Sequence, residues 1–272
     1  METNLIENNL QQADENIPLD AGVGMPPLQL NEIYNDDSFK LIERVPAKTV
    51  DLILEDMPYN TTACEWDVKI DLQLYWETRL RILKPTGVIV LTAQQPFVSD
   101  LINSNREIFR YEIIWNKELP VGFLNANKMP LRVHENVLIF YRKLPTYNPI
   151  KTKGKPYKKN GTGEKSVYST AYMVRKPNLT GERMPTTILD ITNANHSNPL
   201  HPTQKPVGLF EYLIRTYSNE GDLVFDGFGG SGTTAVAAHK SKRNFIVIEK
   251  EKKYFDLATR RLCNERAQYT ML

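Results

Sequence analysis

Leu223-Val224-Phe225-Asp226-Gly227-Phe228-Gly229-Gly230-Ser231-Gly232 runs from a short apolar segment into a glycine-rich turn. A strand that ends in G-x-G-x-x-G and opens onto a helix marks a nucleotide-binding turn in a parallel α/β sheet. Glycines let the backbone approach a ligand, and the first N–H groups of the helix face an anion. The next apolar run, Phe245–Glu249, ends in an acid 22 residues after Gly227, where a carboxylate can accept both hydroxyls of a ribose.

Outward from this turn, apolar runs and helical spacings alternate. Expected strands are Leu30–Tyr34, Val50–Glu55, Val88–Leu91, Tyr111–Trp115, Asn136–Tyr141, Leu223–Phe225 and Phe245–Glu249. Expected helices are Ser38–Val45, Asp71–Leu83, Phe97–Ser104, Val207–Tyr217, Thr233–Ser241 and Lys253–Arg266, with Lys84-Pro85-Thr86-Gly87 as a turn. Such alternation predicts a mostly parallel, doubly wound sheet covered by helices on both faces. Residues 1–28 have no strong apolar period and read as a flexible leader with a short helix around Ile6–Gln12. The stretch 143–200 breaks the rhythm and reads as an insertion between 29–142 and 201–272.

Two classes of cofactor fit the glycine turn. A nicotinamide or flavin dinucleotide needs a second nucleotide-binding half, and only 23 residues follow Glu249. Asp226, directly before the first glycine, is placed to hold an ammonium group. One ribose, one carboxylate and one ammonium together describe S-adenosylmethionine.

A second chemical feature closes the run Val50–Glu55. Asp56-Met57-Pro58-Tyr59 sets an acid, a proline and an aromatic ring where a buried strand leaves the sheet. That makes a rigid polar notch beside a stacking surface, suited to the amino group of a flat base. Between the two features, residues 142–183 hold eleven basic and two acidic side chains, a charge of +9. The whole chain carries +2, so the remainder is at −7, and a basic segment on an acidic body favours a polyanion partner. Tyr147, Tyr157, Tyr168 and Tyr172 are interleaved with Lys151, Lys153, Lys155, Lys158, Lys159, Arg175 and Lys176, the expected nucleic-acid contacts.

The 272 residues, 41 % hydrophobic, suffice for one large core. No run reaches the ~18 apolar residues of a membrane span, and the acidic start has no signal-peptide pattern. Cys64 and Cys263 form no metal-like pair, which places the chain in a reducing cytoplasm, and the four histidines lack the pairing of a structural zinc site.

In combination, the motifs resemble those of the β-type DNA amino-methyltransferases, the adenine-N6 and cytosine-N4 enzymes. Asp56-Met57-Pro58-Tyr59 resembles their D-P-P-Y, and Phe228, Gly230 and Gly232 match their F-x-G-x-G loop. His201-Pro202-Thr203-Gln204-Lys205-Pro206 and the strand opening His134-Glu135 are similar to further family signatures, and Asn35-Asp36-Asp37-Ser38 to the turn approaching the cofactor adenine. The likeness spans about Tyr34 to Leu262, in the order notch, basic insertion, H-P-T-Q-K-P, glycine loop. It implies a permuted methyltransferase fold, with 143–200 as target-recognition region and double-stranded DNA as partner. It leaves room for a homodimer and a cognate restriction nuclease.

By the same resemblance, Asp226 and Glu249 bind S-adenosylmethionine, and Thr203, Gln204 and Lys205 close over its methionine end. Asp56 and the carbonyl of residue 57 accept hydrogens from the target amino group, while Tyr59 stacks on the extracted base. Met57 stands where the family has its first proline; the carbonyl survives, and one locked φ angle is lost. Asp56 rather than serine favours adenine over cytosine. A ring-carbon cytosine methyltransferase, suggested by Glu135-Asn136-Val137, needs a cysteine nucleophile after proline, whereas Cys64 follows Ala63. Methylation of the cytosine amino group and a silent nucleic-acid-binding relative remain as alternatives.

Overall fold

The computed structural model describes residues 25–58, 70–158, 164–165, 172–173, 177–192 and 204–270. The helix expected at Ile6–Gln12 and residues Tyr59, Cys64, Lys159, Arg175, Lys176, His201, Pro202 and Thr203 lie outside them.

Strands β1 (Glu32–Asn35), β2 (Val50–Glu55), β3 (Leu83–Ala93), β4 (Phe109–Val121) and β5 (Arg132–Phe140) are followed by the short pieces β6 (Thr152–Lys153), β7 (Glu164–Lys165), β8 (Tyr172–Met173), β9 (Glu182–Arg183) and β10 (Ile188–Asp190), then by β11 (Leu223–Asp226) and β12 (Asn244–Glu249). Helices are α1 (Ser38–Leu41), α2 (Leu72–Ile82), α3 (Phe97–Ser104), α4 (Val207–Tyr217), α5 (Thr233–Lys240) and α6 (Lys252–Thr270). The eight-stranded sheet runs β1-β12-β11-β2-β3-β5-β4-β10, and only β5 is antiparallel to its neighbours β3 and β4.

Both faces of the centre are dry. Val50, Leu52, Ile53, Leu54 and Val88–Leu91 are wholly buried, which is why they read as continuous apolar runs. Alternate residues serve opposite layers: Ile53, Ile89 and Leu91 pack with Tyr75 and Trp76 of α2 and Leu101 of α3. Leu52, Leu54, Val88 and Val90 pack with Leu209 and Leu213 of α4, Ala235 of α5 and Leu262 of α6. At ~25 cal/mol per Å² of apolar surface, these two layers supply the main drive for folding. No helix among the described residues is long and apolar enough to cross a membrane.

Two expectations change, and a third gains detail. The expected turn Lys84–Gly87 lies within β3: Val50 pairs with Leu83 and Leu52 with Val88, so the extra residues are absorbed as an irregularity of the ladder. The leader expected over 1–28 gives way to packed chain before its end, since Leu28 is buried and donates its N–H to the Arg44 carbonyl. The stretch 143–200, expected as an insertion, is tied to the body near both its ends. Asn148 donates to the Thr216 carbonyl at 2.7 Å, and β10 pairs in parallel with β4 as an edge strand. Among the described residues between these anchors are two two-stranded pieces, β6 with β9 and β7 with β8.

Candidate active site

β2, β11 and β12 are parallel neighbours, so their carboxyl ends deliver Glu55-Asp56, Asp226 and Glu249 to one edge of the sheet. A single cavity there is lined by Asp37 and Phe39, Asp56 and Pro58, Gln204 and Lys205, Asp226 to Ser231, and Glu249. The edge beyond the strand ends is where open parallel sheets bind ligands.

The glycine turn forms one end of this cavity. Gly232 has φ +77°, a left-handed conformation that glycine adopts without strain, and a Cβ there would meet Ala258 of α6 at 2.7 Å. Glu249 accepts the N–H groups of Gly230 at 2.6 Å and Glu251 at 2.7 Å, one on each oxygen. Burial raises its carboxyl above the usual range, against the pull of those bonds. Asp226 is almost fully buried and accepts from the Phe228 N–H at 2.8 Å and the Thr234 hydroxyl. Burial foremost, with the nearby Glu55 and Asp56 charges, pushes its carboxyl up to about 8. Asp37 caps α1 through the Phe39 N–H and pairs with Lys250 at 3.0 Å.

At the other end, Asp56 is held on both oxygens, by the Thr92 hydroxyl and by Lys205 Nζ at 2.6 Å. Lys205 also lies 3.3 Å from Glu135 Oε2, and Glu135 Oε1 accepts from Lys117 Nζ at 3.0 Å. Burial would raise the Glu135 carboxyl, but Lys205 and Lys117 outweigh it and hold it below the usual range. The ammonium of Lys205 thus turns to the acid of the notch, a different emphasis from the methionine-end role that the family resemblance implies. The Met57 side chain is buried in the core beneath, and Pro58 lines the cavity. Gln204 also lines it, and its Oε1 is buried with no hydrogen-bond partner among the described residues.

Sequence reasoning missed the layer under this floor. Glu55, Tyr75 and Arg79 are wholly buried and bonded to one another. The signal was an acid ending an apolar run; its partners on α2 carry no motif. Lys117, set in the polar stretch Asn116-Lys117-Glu118, had no signal at all.

In the basic segment Lys153, Lys155 and Lys158 are exposed, while Lys151 is paired with Glu182 at 2.9 Å. Arg183 lies over the Tyr157 ring, 5.0 Å from its centroid.

Comparison with known proteins bears on this geometry. Residues 50–260 match the family model of the N6 and N4 DNA methylases. The type II methyltransferase M.BglII of Bacillus subtilis is 29 % identical over 286 aligned residues, covering 94 % of this chain and 75 % of its own. The DNA adenine methyltransferase YhdJ of Escherichia coli K12 is 28 % identical, covering 85 % and 82 %. Among solved structures, the M1.HpyAVI–SAM complex superposes with a TM-score of 0.59 at 26 % identity, covering 85 % of this chain and 99 % of that one. The match extends from the notch strand through the glycine turn to α6, and on it the chain belongs to the N6/N4 family of DNA amino-methyltransferases.

Proposed function

We propose that this chain transfers a methyl group from S-adenosylmethionine to the exocyclic amino nitrogen of an adenine flipped out of double-stranded DNA. The observation that carries the reading is one cavity bounded by Asp56 at one end and Glu249 at the other, with Asp226 between. Asp226 has no cationic partner among the described residues, and Gln204 Oε1 has no donor. A ligand ammonium suits both, and the two N–H bonds on Glu249 leave lone pairs free for ribose hydroxyls.

S-adenosylmethionine supplies an electrophilic methyl group carried on a positively charged sulfur. Asp226 and Gln204 bind its amino end, Glu249 its ribose, and Gly230 and Gly232 leave room for it; Phe228 and Asp37 border it, with Thr203 closing over it. Adenine's amino nitrogen is a poor nucleophile because its lone pair is shared with the ring. Asp56 and the Met57 carbonyl accept its two hydrogens and draw it toward tetrahedral geometry. Tyr59 stacks on the base, an interaction worth ~1–3 kcal/mol. Direct transfer then gains from positioning and preset hydrogen bonds, with no covalent intermediate.

Asp56 in place of serine supports adenine as the base, as does the similarity to a relative named an adenine methyltransferase. The segment 143–200, with Lys151, Lys153, Lys155, Lys158, Lys159, Arg175 and Lys176, contacts the phosphates and reads the target. Mass spectrometry of nucleosides from DNA treated with the protein and S-adenosylmethionine tests the reading. N6-methyladenine is expected; N4-methylcytosine alone would overturn the base assignment, and no modified base on any DNA would favour a silent relative.

A further inference from the structure

The cavity floor contains an ion pair that the chemistry above does not use. Glu55 directly precedes Asp56, and side chains alternate along a strand, so the two acids leave β2 on opposite faces. Asp56 turns to Lys205, before α4, and Glu55 turns to α2. There Glu55 Oε1 accepts from Arg79 Nε at 3.2 Å, from Arg79 Nη2 at 3.1 Å and from the Gly227 N–H at 2.9 Å, and Oε2 accepts from the Tyr75 hydroxyl at 2.6 Å.

The bond to Gly227 has a particular place. The β2–β11 ladder pairs Leu52 with Val224 and Ile53 with Phe225, and goes no further. Beyond it the strands part to make the cavity, and the Glu55 carboxylate takes up the backbone N–H that the ladder leaves. A Cβ on Gly227 would lie 2.8 Å from Glu55 Oε1, so a side chain there would break the contact. Arg79 extends the tie. It donates to Ser38 Oγ at 3.1 Å, and its guanidinium lies 4.7 Å from the Phe39 ring centroid and 5.3 Å from that of Phe228. Both rings line the cavity.

A buried ion pair is weak evidence for stability, because apolar residues of similar volume often hold a fold as well or better. This one joins the strand end bearing Asp56, the first glycine of the turn, and two aromatic walls. We infer that Glu55 and Arg79 are positioning residues that fix the distance between the amino-group notch and the cofactor turn. The inference rests on the reading of Asp56 as the acid that holds the target amino group.

Arg79→Lys tests it, because lysine keeps the charge beside Glu55 but loses the two N–H donors that converge on Oε1 and the flat stacking face. The expected result is a melting temperature within a few degrees of the parent. At the same time kcat falls about tenfold and cofactor Kd rises about tenfold, while KM for DNA is unchanged, as misplacement of a bound reactant predicts. Tyr75→Phe, which removes one hydrogen bond from Glu55 and keeps the ring, should give a smaller fall in kcat with the same unchanged KM. It carries the test should Arg79→Lys fail to fold. Parent values of kcat and Kd in a folded Arg79→Lys protein, or in Tyr75→Phe where only that variant folds, would overturn the inference. Asp56→Ala, assayed beside them, separates the two ideas: full transfer by that variant sinks the Asp56 reading whatever Arg79→Lys does.

Discussion

The cavity edge of the sheet and the basic segment between Asn148 and β10 are built on opposite terms. At the edge, Glu55, Asp56, Glu135 and Glu249 are each fixed by donors from other elements, and most of those donors are buried. In the segment, strands are two residues long, Lys153, Lys155 and Lys158 are exposed, and the Lys151–Glu182 pair has each side chain 46 % exposed. Exposed pairs are worth roughly 0–1 kcal/mol and are screened by salt, whereas buried donors keep their geometry. The difference suits the two tasks proposed above. Chemistry needs groups fixed before the reactants arrive; contact with a long polyanion needs charge that can adapt.

The sharpest way to break this contrast is at the notch. Asp56→Ala should lower the single-turnover rate by about 10²–10³-fold, the usual loss for one preset electrostatic contact, while calorimetric cofactor affinity stays at the parent value. A parallel loss of both would make Asp56 a scaffold residue. Next in size is charge reversal at Lys153, Lys155 and Lys158. DNA affinity should fall and the salt slope should flatten by about 0.9 per lost phosphate contact, with cofactor affinity intact. If cofactor binding weakened as well, the segment would belong to the same rigid unit as the edge.

Glu249→Ala should weaken cofactor binding about tenfold, near 1.4 kcal/mol, without changing DNA affinity measured by anisotropy. The smallest effect concerns Asp226. Its carboxyl stands at about 8 when folded and at 3.8 in the reference state, so the folded protein prefers the protonated form. The associated stability is full below pH 3.8 and is lost as pH rises through 8. Asp226→Asn should therefore remove part of the fall in melting temperature between pH 5 and pH 8, a difference of a few degrees in thermal melts. Parallel curves for the two proteins would show that this carboxyl does not bear the cost of burial.

The same contrast explains what could be read from the chain. β2, α3 and α4 lie where the sequence places them, because a doubly buried strand or an amphipathic helix is written in consecutive residues. β10 escaped notice, being three residues long and set by pairing with β4 and by Leu189 packing on the core, neither of which is a local pattern. β4 and β5 extend well past their apolar centres into polar stretches that resemble loop. In the site, Asp56, Asp226 and Glu249 were legible because each closes a strand, and a strand end is a local event. The Lys205–Asp56 bond spans 149 positions and the Arg79–Glu55 bond 24, and no local pattern announces either.

Because Asn148 is tied to the end of α4 and β10 is paired to β4, the chain enters and leaves the basic segment at two fixed points on the body. A cassette with fixed seams can be rewritten without disturbing its frame. On the role proposed for this segment, grafts cut at those seams are the natural unit for changing where on a genome the enzyme works while its chemistry stays as it is.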